Sequence, residues 1–157
     1  ALPLKLEFKG FDENTWRQIG NPITTDAGLF KTPLYLAKSG KLRITSEGSW
    51  ERGAGLSTEV SVKVNPRLSI SAPTSAKAGN AFKVTVLSAP ITAGTQVALR
   101  RLDGKVWNTV SLVPLLATGT ELSQTEPTRG IYSYQVLVFN SADSTESTSA
   151  AFTVVVR

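Results

Sequence analysis

Strict alternation of apolar and polar residues recurs along almost the whole chain, and no other feature limits its possible folds so strongly. The alternation is clear in residues 4–8, 60–64, 82–86, 132–136 and 152–156. Successive side chains of a β-strand point to opposite faces, so a period of two indicates strands with one buried and one solvated face. Segments rich in Gly, Pro, Ser, Thr and Asn separate these strands. Short strands separated by turns predict an all-β sandwich or barrel.

The strands fall into two sets that divide at Pro66. Proline lacks the N–H that a β-ladder uses and is rarely found inside one. We therefore predict two domains, residues 1–65 and residues 66–157. Each set has a strand, a glycine turn, a tryptophan that opens the next strand (Trp16 or Trp107), a glycine before a long strand, and a closing valine-rich strand. This order indicates a tandem repeat, which predicts an architecture rather than a chemistry.

Two short motifs link this order to a known class of repeat. Residues 25–30 read Thr-Asp-Ala-Gly-Leu-Phe, and residues 130–136 read Gly-Ile-Tyr-Ser-Tyr-Gln-Val. Together with the strand order, they resemble bacterial immunoglobulin-like or fibronectin-type-III-like repeats over nearly the whole chain. The resemblance implies two tandem immunoglobulin-like β-sandwich modules, of which the second is a complete seven-strand module. Such repeats form stalks and accessory modules of secreted and cell-surface proteins.

The resemblance also implies roles for two tyrosines. Tyr132 occupies the tyrosine-corner position, where the hydroxyl bonds to the backbone a few residues upstream, and Tyr134 occupies a position that is Cys in antibody domains. Leu42 and Ile44 stand at these positions in the first module, so no corner hydrogen bond can form there. Trp107 is expected to pack in the core beside the strand that carries the two tyrosines.

The first module is expected to lack its N-terminal strands. Residues 67–72 and 81–87 form two strands before the Val97 strand of the second module, whereas nothing precedes the equivalent Leu4 strand. A sandwich without two strands exposes unpaired edges and an apolar face. Three explanations are open: the chain is a fragment of a longer protein, a partner supplies the strands, or the first module is a smaller self-sufficient sheet. We predict that the native first module contains a strand, or a close substitute for one, that this sequence does not encode.

The composition argues against an enzyme. The chain contains no His, no Cys and no Met. His is the commonest general base at neutral pH and the commonest zinc ligand, and Cys supplies thiolate nucleophiles and metal ligands. We therefore predict no catalytic residue, no cofactor and no metal site. Cys and Met are also the oxidisable residues, so their absence favours a secreted or cell-surface location.

Charge and hydropathy exclude two further classes of partner. The net charge of +5 is dispersed over both halves of the chain. Nucleic-acid binders gather Lys and Arg into a patch with interleaved aromatic residues, so we predict no nucleic-acid partner. No apolar run approaches the roughly 20 residues of a membrane-spanning helix, so we predict no membrane span.

Several polar groups resemble catalytic or metal sites but are better interpreted as solvated turns. Asp12 and Glu13 share one turn, and Glu47 and Glu51 flank Trp50, whereas a glycosidase needs two carboxylates that face each other across a cleft. Residues 143–146, Asp-Ser-Thr-Glu, are the best candidate for calcium, yet a calcium site needs several closely spaced oxygen ligands.

Trp50 is the best candidate for a contact with a ligand or partner. It lies in a glycine-flanked loop beside Glu51 and Arg52, and the second half of the chain has no equivalent tryptophan. Exposed aromatic residues beside polar groups are common at binding surfaces. The sequence therefore predicts a non-catalytic structural or adhesive protein of an extracellular assembly, whose partners are other subunits or further modules. The alternative is an accessory module of a secreted enzyme that binds carbohydrate or cell-envelope glycans through Trp50, Glu51 and Arg52.

Overall fold

A computed structural model of the chain describes residues 1–91, 94–142 and 144–157. Within these ranges the secondary structure consists of fourteen β-strands. The same residues contain no helix that is long and apolar enough to cross a membrane. The chain divides into two compact units, Ala1–Val64 (unit 1) and Asn65–Arg157 (unit 2). The predicted all-β fold is confirmed.

Unit 1 contains a single antiparallel sheet. Its strand order is β2-β1-β3-β4, and β5 pairs with another part of β3. The strands are β1 (Lys5–Gly10), β2 (Arg17–Gly20), β3 (Gly40–Ser46), β4 (Gly55–Leu56) and β5 (Val60–Val62).

The central pair of unit 1 follows directly from the sequence pattern. Leu6 and Phe8 are buried on one face of β1 and lie opposite Ile44 and Leu42 of β3. Gly40 opens β3 because no side chain fits there. A Cβ at this position would lie 2.3 Å from the carbonyl oxygen of Lys9 and 2.7 Å from the Phe8 ring. The close approach at Gly40 therefore fixes where β3 begins against β1.

Unit 2 contains two antiparallel-dominated sheets. The larger has the order β10-β9-β12-β14-β7, with β13 also paired to β12, and the smaller has the order β11-β8-β6. The only parallel pair among the described residues joins β14 and β7. The strands are β6 (Arg67–Ser71), β7 (Ser75–Ala76), β8 (Ala81–Ala89), β9 (Gln96–Asp103), β10 (Val106–Pro114), β11 (Thr120–Thr125), β12 (Gly130–Val138), β13 (Ser147–Thr148) and β14 (Phe152–Val156).

The two sheets of unit 2 face each other as a β-sandwich. Alternate residues of β8 and β11 on the smaller sheet join alternate residues of β9, β12 and β14 on the larger sheet in one hydrophobic core. Full burial of a side chain such as Val or Leu stabilises a fold by about 1.5–3 kcal/mol. The core comprises Phe82, Val84, Val86, Val97, Leu99, Leu115, Leu122, Tyr134, Val136, Val138 and Val154.

The sheet of unit 1 and the larger sheet of unit 2 pair their strands in the same way. Strand β2 lies beside β1 as β10 lies beside β9, and β1 and β9 each lie beside a long strand, β3 or β12, that begins with Gly40 or Gly130. In each sheet, the end of that long strand pairs with a two-residue strand, β4 or β13, and its beginning pairs with the last strand, β5 or β14. Strands β1 to β5 therefore correspond in order to β9, β10, β12, β13 and β14. Strand β7, which pairs with β14, has no counterpart in unit 1.

Unit 1 has no counterpart of the smaller sheet. The strands of unit 1 all belong to its one sheet, and residues 25–39 contain no strand. Residues 25–30, one of the two motifs that carry the resemblance, form no strand in the structure. In unit 2, β11 pairs with β8. Without a β8, the segment of unit 1 has no strand with which to pair.

The two tyrosines and Trp107 of unit 2 differ in outcome. Tyr132 Oη donates a hydrogen bond to the carbonyl oxygen of Thr128 at 3.0 Å, which confirms the predicted corner bond. Tyr134 is fully buried in the core. Trp107 lies on the edge strand β10, is only half-buried and lies outside the core cluster, so its predicted place in the core is wrong.

Candidate functional site

The candidate functional site is a partly exposed apolar surface on one face of the unit 1 sheet. We call it the open face; its sheet residues are Leu6, Leu42, Ile44 and Val60. With Phe30 and Leu34 they line a groove of about 370 Å³. Val60 is 56% exposed, and Phe30 and Leu34 are exposed as well. A soluble domain rarely exposes contiguous apolar residues unless they contact another molecule, so this groove is a candidate interface.

The connection that borders the groove has an unusual backbone. Residues 30–37 form no strand, and none of their backbone N–H groups donates a hydrogen bond within the described residues. The segment is rich in apolar side chains, and Tyr35 is 97% exposed. Unpaired backbone groups beside an apolar surface are the features of an edge that accepts another strand. We call residues 30–36 the free segment.

The opposite face of the unit 1 sheet is polar, and its charged side chains contact one another and the ring of Trp16. Glu7 and Arg43 are cross-strand partners and form an ion pair of 2.6 Å. The ring of Trp16 lies under two cations, with Arg43 Cζ at 4.2 Å and Lys9 Nζ at 5.0 Å from its centroid. Such cation–π contacts each contribute about 0.5–1 kcal/mol at exposed sites. Trp16 is thus held by this face, in agreement with a structural role.

Trp50 lies at the tip of a closed turn. The backbone N–H groups of Ser49 and Arg52 each donate to the carbonyl oxygen of the other, at 2.7 and 3.2 Å. Trp50 and Glu51 form the two central positions, and Trp50 is 93% exposed. Ser49 and Arg52 also line a shallow cavity of about 330 Å³ with Glu47. The structure therefore presents Trp50, Glu51 and Arg52 together on one exposed turn.

The carboxylates considered in the sequence do not form a catalytic pair. Asp12 and Glu13 both bind the Lys38 ammonium, at 2.7 and 2.8 Å. The hydrogen bond from Lys38, with another from the Gly10 backbone N–H, lowers the pKa of Glu13 to about 2. Glu47 is paired with Lys5. A carboxylate saturated by a lysine is a poor general acid or base, since its proton affinity is low.

The structure does not bring metal ligands together in the part of the chain that it describes. No group of three or more Asp, Glu, His or Cys side chains is placed to hold an ion there. Asp143, the first residue of the candidate calcium loop, lies outside the described residues. Ser144 is buried and its backbone N–H donates to Ser141 Oγ at 3.1 Å.

Unit 2 contains a buried charged network that the sequence pattern did not predict. Glu126 is 1% exposed, and its carboxylate accepts hydrogen bonds from Tyr134 Oη (2.6 Å), Gln124 Nε2 (2.8 Å) and Arg101 Nη1 (2.8 Å). Burial opposes ionisation, but these three donors outweigh it and hold the pKa of Glu126 below its ordinary value. Burial and the hydrogen bond to Glu126 raise the pKa of Tyr134. A signal was available: a tyrosine at an inward position of β12 must find a partner for its hydroxyl.

This network joins three strands of the sandwich to the residue after β11. Each polar atom of the Glu126 carboxylate has a partner, so the buried charge is satisfied. Two of its donors, Arg101 and Gln124, sit on different sheets. The network therefore has a structural role, because the protein's own groups occupy the Glu126 carboxylate and none of these donors points toward a ligand.

No family model matches the chain, and no curated protein is significantly similar to it in sequence.

Proposed function

We propose that this protein is a non-catalytic structural or adhesive element of an extracellular or cell-surface assembly. In this proposal the two units are tandem immunoglobulin-like modules, and strands not encoded by residues 1–157 complete unit 1. The observation that carries it is the contrast between two sheets with the same pairing order. One is covered by a second sheet, whereas Val60, Phe30 and Leu34 stay exposed at the apolar face of the other. Within the described residues, no backbone N–H of the free segment donates a hydrogen bond.

Two further observations support this proposal. The corner hydrogen bond from Tyr132 to Thr128 has the geometry expected of an immunoglobulin-like module. Three of the four candidate carboxylates, Asp12, Glu13 and Glu47, are paired with lysines, which makes them poorly suited to acid–base chemistry. Completion of a sandwich by a strand from elsewhere is a common way in which surface proteins assemble.

Location is the most direct test of this function. Intact cells that produce the protein are probed with an antibody against unit 2, before and after treatment with an external protease. We expect the antibody to bind intact cells or culture medium and the protease to remove the cell-bound signal. A protein found only inside protease-treated cells would contradict the proposal. A cytoplasmic protein produced by the same cells serves as the control for lysis.

The alternative function is binding of cell-envelope glycans, and the turn of Trp50 supports it. A tryptophan that is 93% exposed, beside Glu51 and Arg52, offers a flat apolar surface with hydrogen-bonding groups at its side. Co-sedimentation with isolated cell-wall polysaccharide tests this. We expect Trp50→Ala to abolish sedimentation and Tyr35→Ala, at an equally exposed aromatic of unit 1, to preserve it. Equal sedimentation of both variants would exclude Trp50 as the contact.

A further inference from the structure

We propose that the free segment is the acceptor edge for one β-strand of a different protein, whose apolar side chains fill the groove of the open face. This inference rests on the proposed function and adds the site, the strand chemistry and the partner. The strand alternates apolar and polar residues and carries an acidic residue beside Lys31. Its source is a separate polypeptide rather than a second copy of this chain.

The first argument comes from the backbone of the free segment. Backbone N–H groups are nearly always bonded in folded proteins, to the chain itself or to water. Those of residues 30–36 have no partner within the described residues, while Thr32 and Leu36 are already half-buried. Bonds with water would be lost if an apolar molecule simply covered the groove. An added strand covers the groove and bonds to the backbone at the same time.

The second argument comes from the corresponding region of unit 2. Strand β11 lies between the edge strand β10 and the glycine-led β12, as the free segment lies between β2 and β3. Strand β11 is paired along its whole length with β8. The inward residues of β8, Phe82, Val84 and Val86, are buried, and the outward Lys83 is exposed. The missing partner of the free segment should therefore have the alternating pattern of β8.

The third argument is charge complementarity. In unit 2 the outward residues Lys83 of β8 and Glu121 of β11, which are diagonal neighbours in the register, form an ion pair at 2.6 Å. The free segment carries the opposite sign, because its only charged residue is Lys31. Lys31 is exposed at the rim of the groove and forms no ion pair within the described residues. Opposite charges on facing strands stabilise a pair and like charges destabilise it, so the added strand should carry Asp or Glu there.

Pro33 determines which edge of the free segment can pair with an added strand, but it does not prevent pairing. The N–H and C=O of one residue in a strand point to the same neighbour, and successive residues alternate between the two sides. Proline lacks the donor, so it suits an edge where its nitrogen faces away from a partner. The added strand should therefore bond to the backbone of Thr32 and Leu34. These two residues also line the groove.

A second copy of the chain is a poor occupant because the face is small. Four strands about 4.8 Å apart and about 20 Å long cover roughly 400 Å². Two copies packed face to face would bury about 800 Å², which is typical of crystal contacts and below the roughly 1,200 Å² of a stable complex. A single inserted strand compensates for a small area with backbone hydrogen bonds.

The test uses the full chain and a nine-residue peptide with the sequence of β8, Ala81–Ala89, in which Lys83 is replaced by Glu. Hydrogen exchange measured by mass spectrometry locates the peptide, and fluorescence anisotropy measures its affinity. We expect protection of amides in residues 30–36. The unaltered β8 peptide, with Lys83, should bind up to about fivefold more weakly, as an exposed charge pair allows. Lys31→Glu in the chain should reverse this preference.

Matched variants connect the binding to the groove. Leu34→Asp places a charge in the groove and should abolish protection, whereas Leu112→Asp, at an exposed apolar residue of unit 2, should leave it unchanged. Circular dichroism verifies that each variant is folded. To detect weak binding, the same peptide is joined to Ala1 by a flexible linker, which raises its effective concentration to the millimolar range. The fusion should then protect residues 30–36.

Several outcomes would overturn the inference. The first is that the amides of residues 30–36 are not protected even in the fusion, and the second is that protection is confined to unit 2 through strand exchange. The third is that the two peptides bind with equal affinity both to the chain and to its Lys31→Glu variant. The fourth is that Leu34→Asp leaves binding intact. A dimer of the unliganded chain in light scattering that Leu34→Asp dissociates would assign the face to a second copy instead. The cell-surface test is independent of these results. If the protein is found at the cell surface but does not bind the peptide, this inference is wrong and the proposed function still stands.

Discussion

Units 1 and 2 build the same kind of sheet but bury it differently. In unit 2 the strand pair β9–β12 is covered by β8 and β11, and Leu99, Tyr134 and Val136 are all fully buried. In unit 1 the pair β1–β3 also places apolar residues opposite each other, and those of β1 are buried, yet Leu42 and Ile44 of β3 are only half-buried. The comparison shows that regular strand pairing does not by itself bury the apolar face of a sheet. Most of the stability of a sheet comes from what covers it.

The comparison predicts its largest effect from one substitution made in each unit. Leu99→Ala should lower the free energy of unfolding of unit 2 by about 2–5 kcal/mol, because it leaves a cavity between two sheets. Leu42→Ala should cost unit 1 only about 1 kcal/mol, because its side chain borders solvent. Urea unfolding followed by NMR signals of each unit measures both. Similar losses in the two units would show that the open face is covered in solution.

A second prediction concerns the buried network that unit 1 lacks. Tyr134→Phe removes the 2.6 Å hydrogen bond to Glu126 and should destabilise unit 2 by about 1–3 kcal/mol, because the buried carboxylate loses a donor. Tyr132→Phe is the matched control, with a hydroxyl near the surface, and should cost less than about 1 kcal/mol. Thermal unfolding compares the two variants. A larger loss of stability from Tyr132→Phe would mean that the corner hydrogen bond stabilises unit 2 more than the Glu126 network does.

The same network predicts how unit 2 responds to acid. The pKa of Glu126 is lower in the folded state than its ordinary value of 4.5. Its ionised form therefore adds stability above pH 4.5, and this stability is lost as the pH falls through the lower, folded-state pKa. Each pKa unit of difference contributes about 1.4 kcal/mol. Glu126→Gln should lower stability at neutral pH and flatten the loss of unit 2 stability below pH 4.5.

Unit 1 provides the control for this acid response. Its stability should also fall between pH 4.5 and about 2, because Glu13 has a pKa of about 2 beside Lys38. Glu126→Gln should leave that fall unchanged. Unfolding curves recorded for both units from pH 7 to 2 separate the two responses. A change in both units would mean that the Glu126 variant acts through the whole chain rather than through its own network.

The smallest effects should distinguish the two tryptophans of unit 1. Trp16→Ala removes two cation–π contacts and should destabilise unit 1 by about 1–2 kcal/mol. Trp50→Ala should change its stability by less than about 0.5 kcal/mol, because the ring is exposed at the tip of a turn. The same unfolding assay measures both. A loss of more than about 1 kcal/mol from Trp50→Ala would make Trp50 a structural residue and remove it as a candidate contact.

Local pattern determined much of this molecule in advance. The side chains that alternate in β1, β8 and β12 have the predicted apolar faces, because the period of two is a property of each strand alone. The glycines that open β3 and β12 and the corner bond of Tyr132 were likewise readable from single motifs. The candidate turn of Trp50, Glu51 and Arg52 was found because its residues are adjacent in sequence.

Tertiary structure alone decided which of those faces are covered. Residues 25–30 carry one of the two motifs of the resemblance but form no strand, and a strand needs a partner that lies far away in the sequence. Trp107 falls outside the core although Val110 and Val113 of the same strand pack against it, and the packing of β10 depends on its pairing with the distant β9. Glu126 meets Tyr134 and Arg101 only when β9 and β12 lie side by side. The sequence by itself specified the faces of the strands, and long-range pairing determined which faces became core and which became the open face.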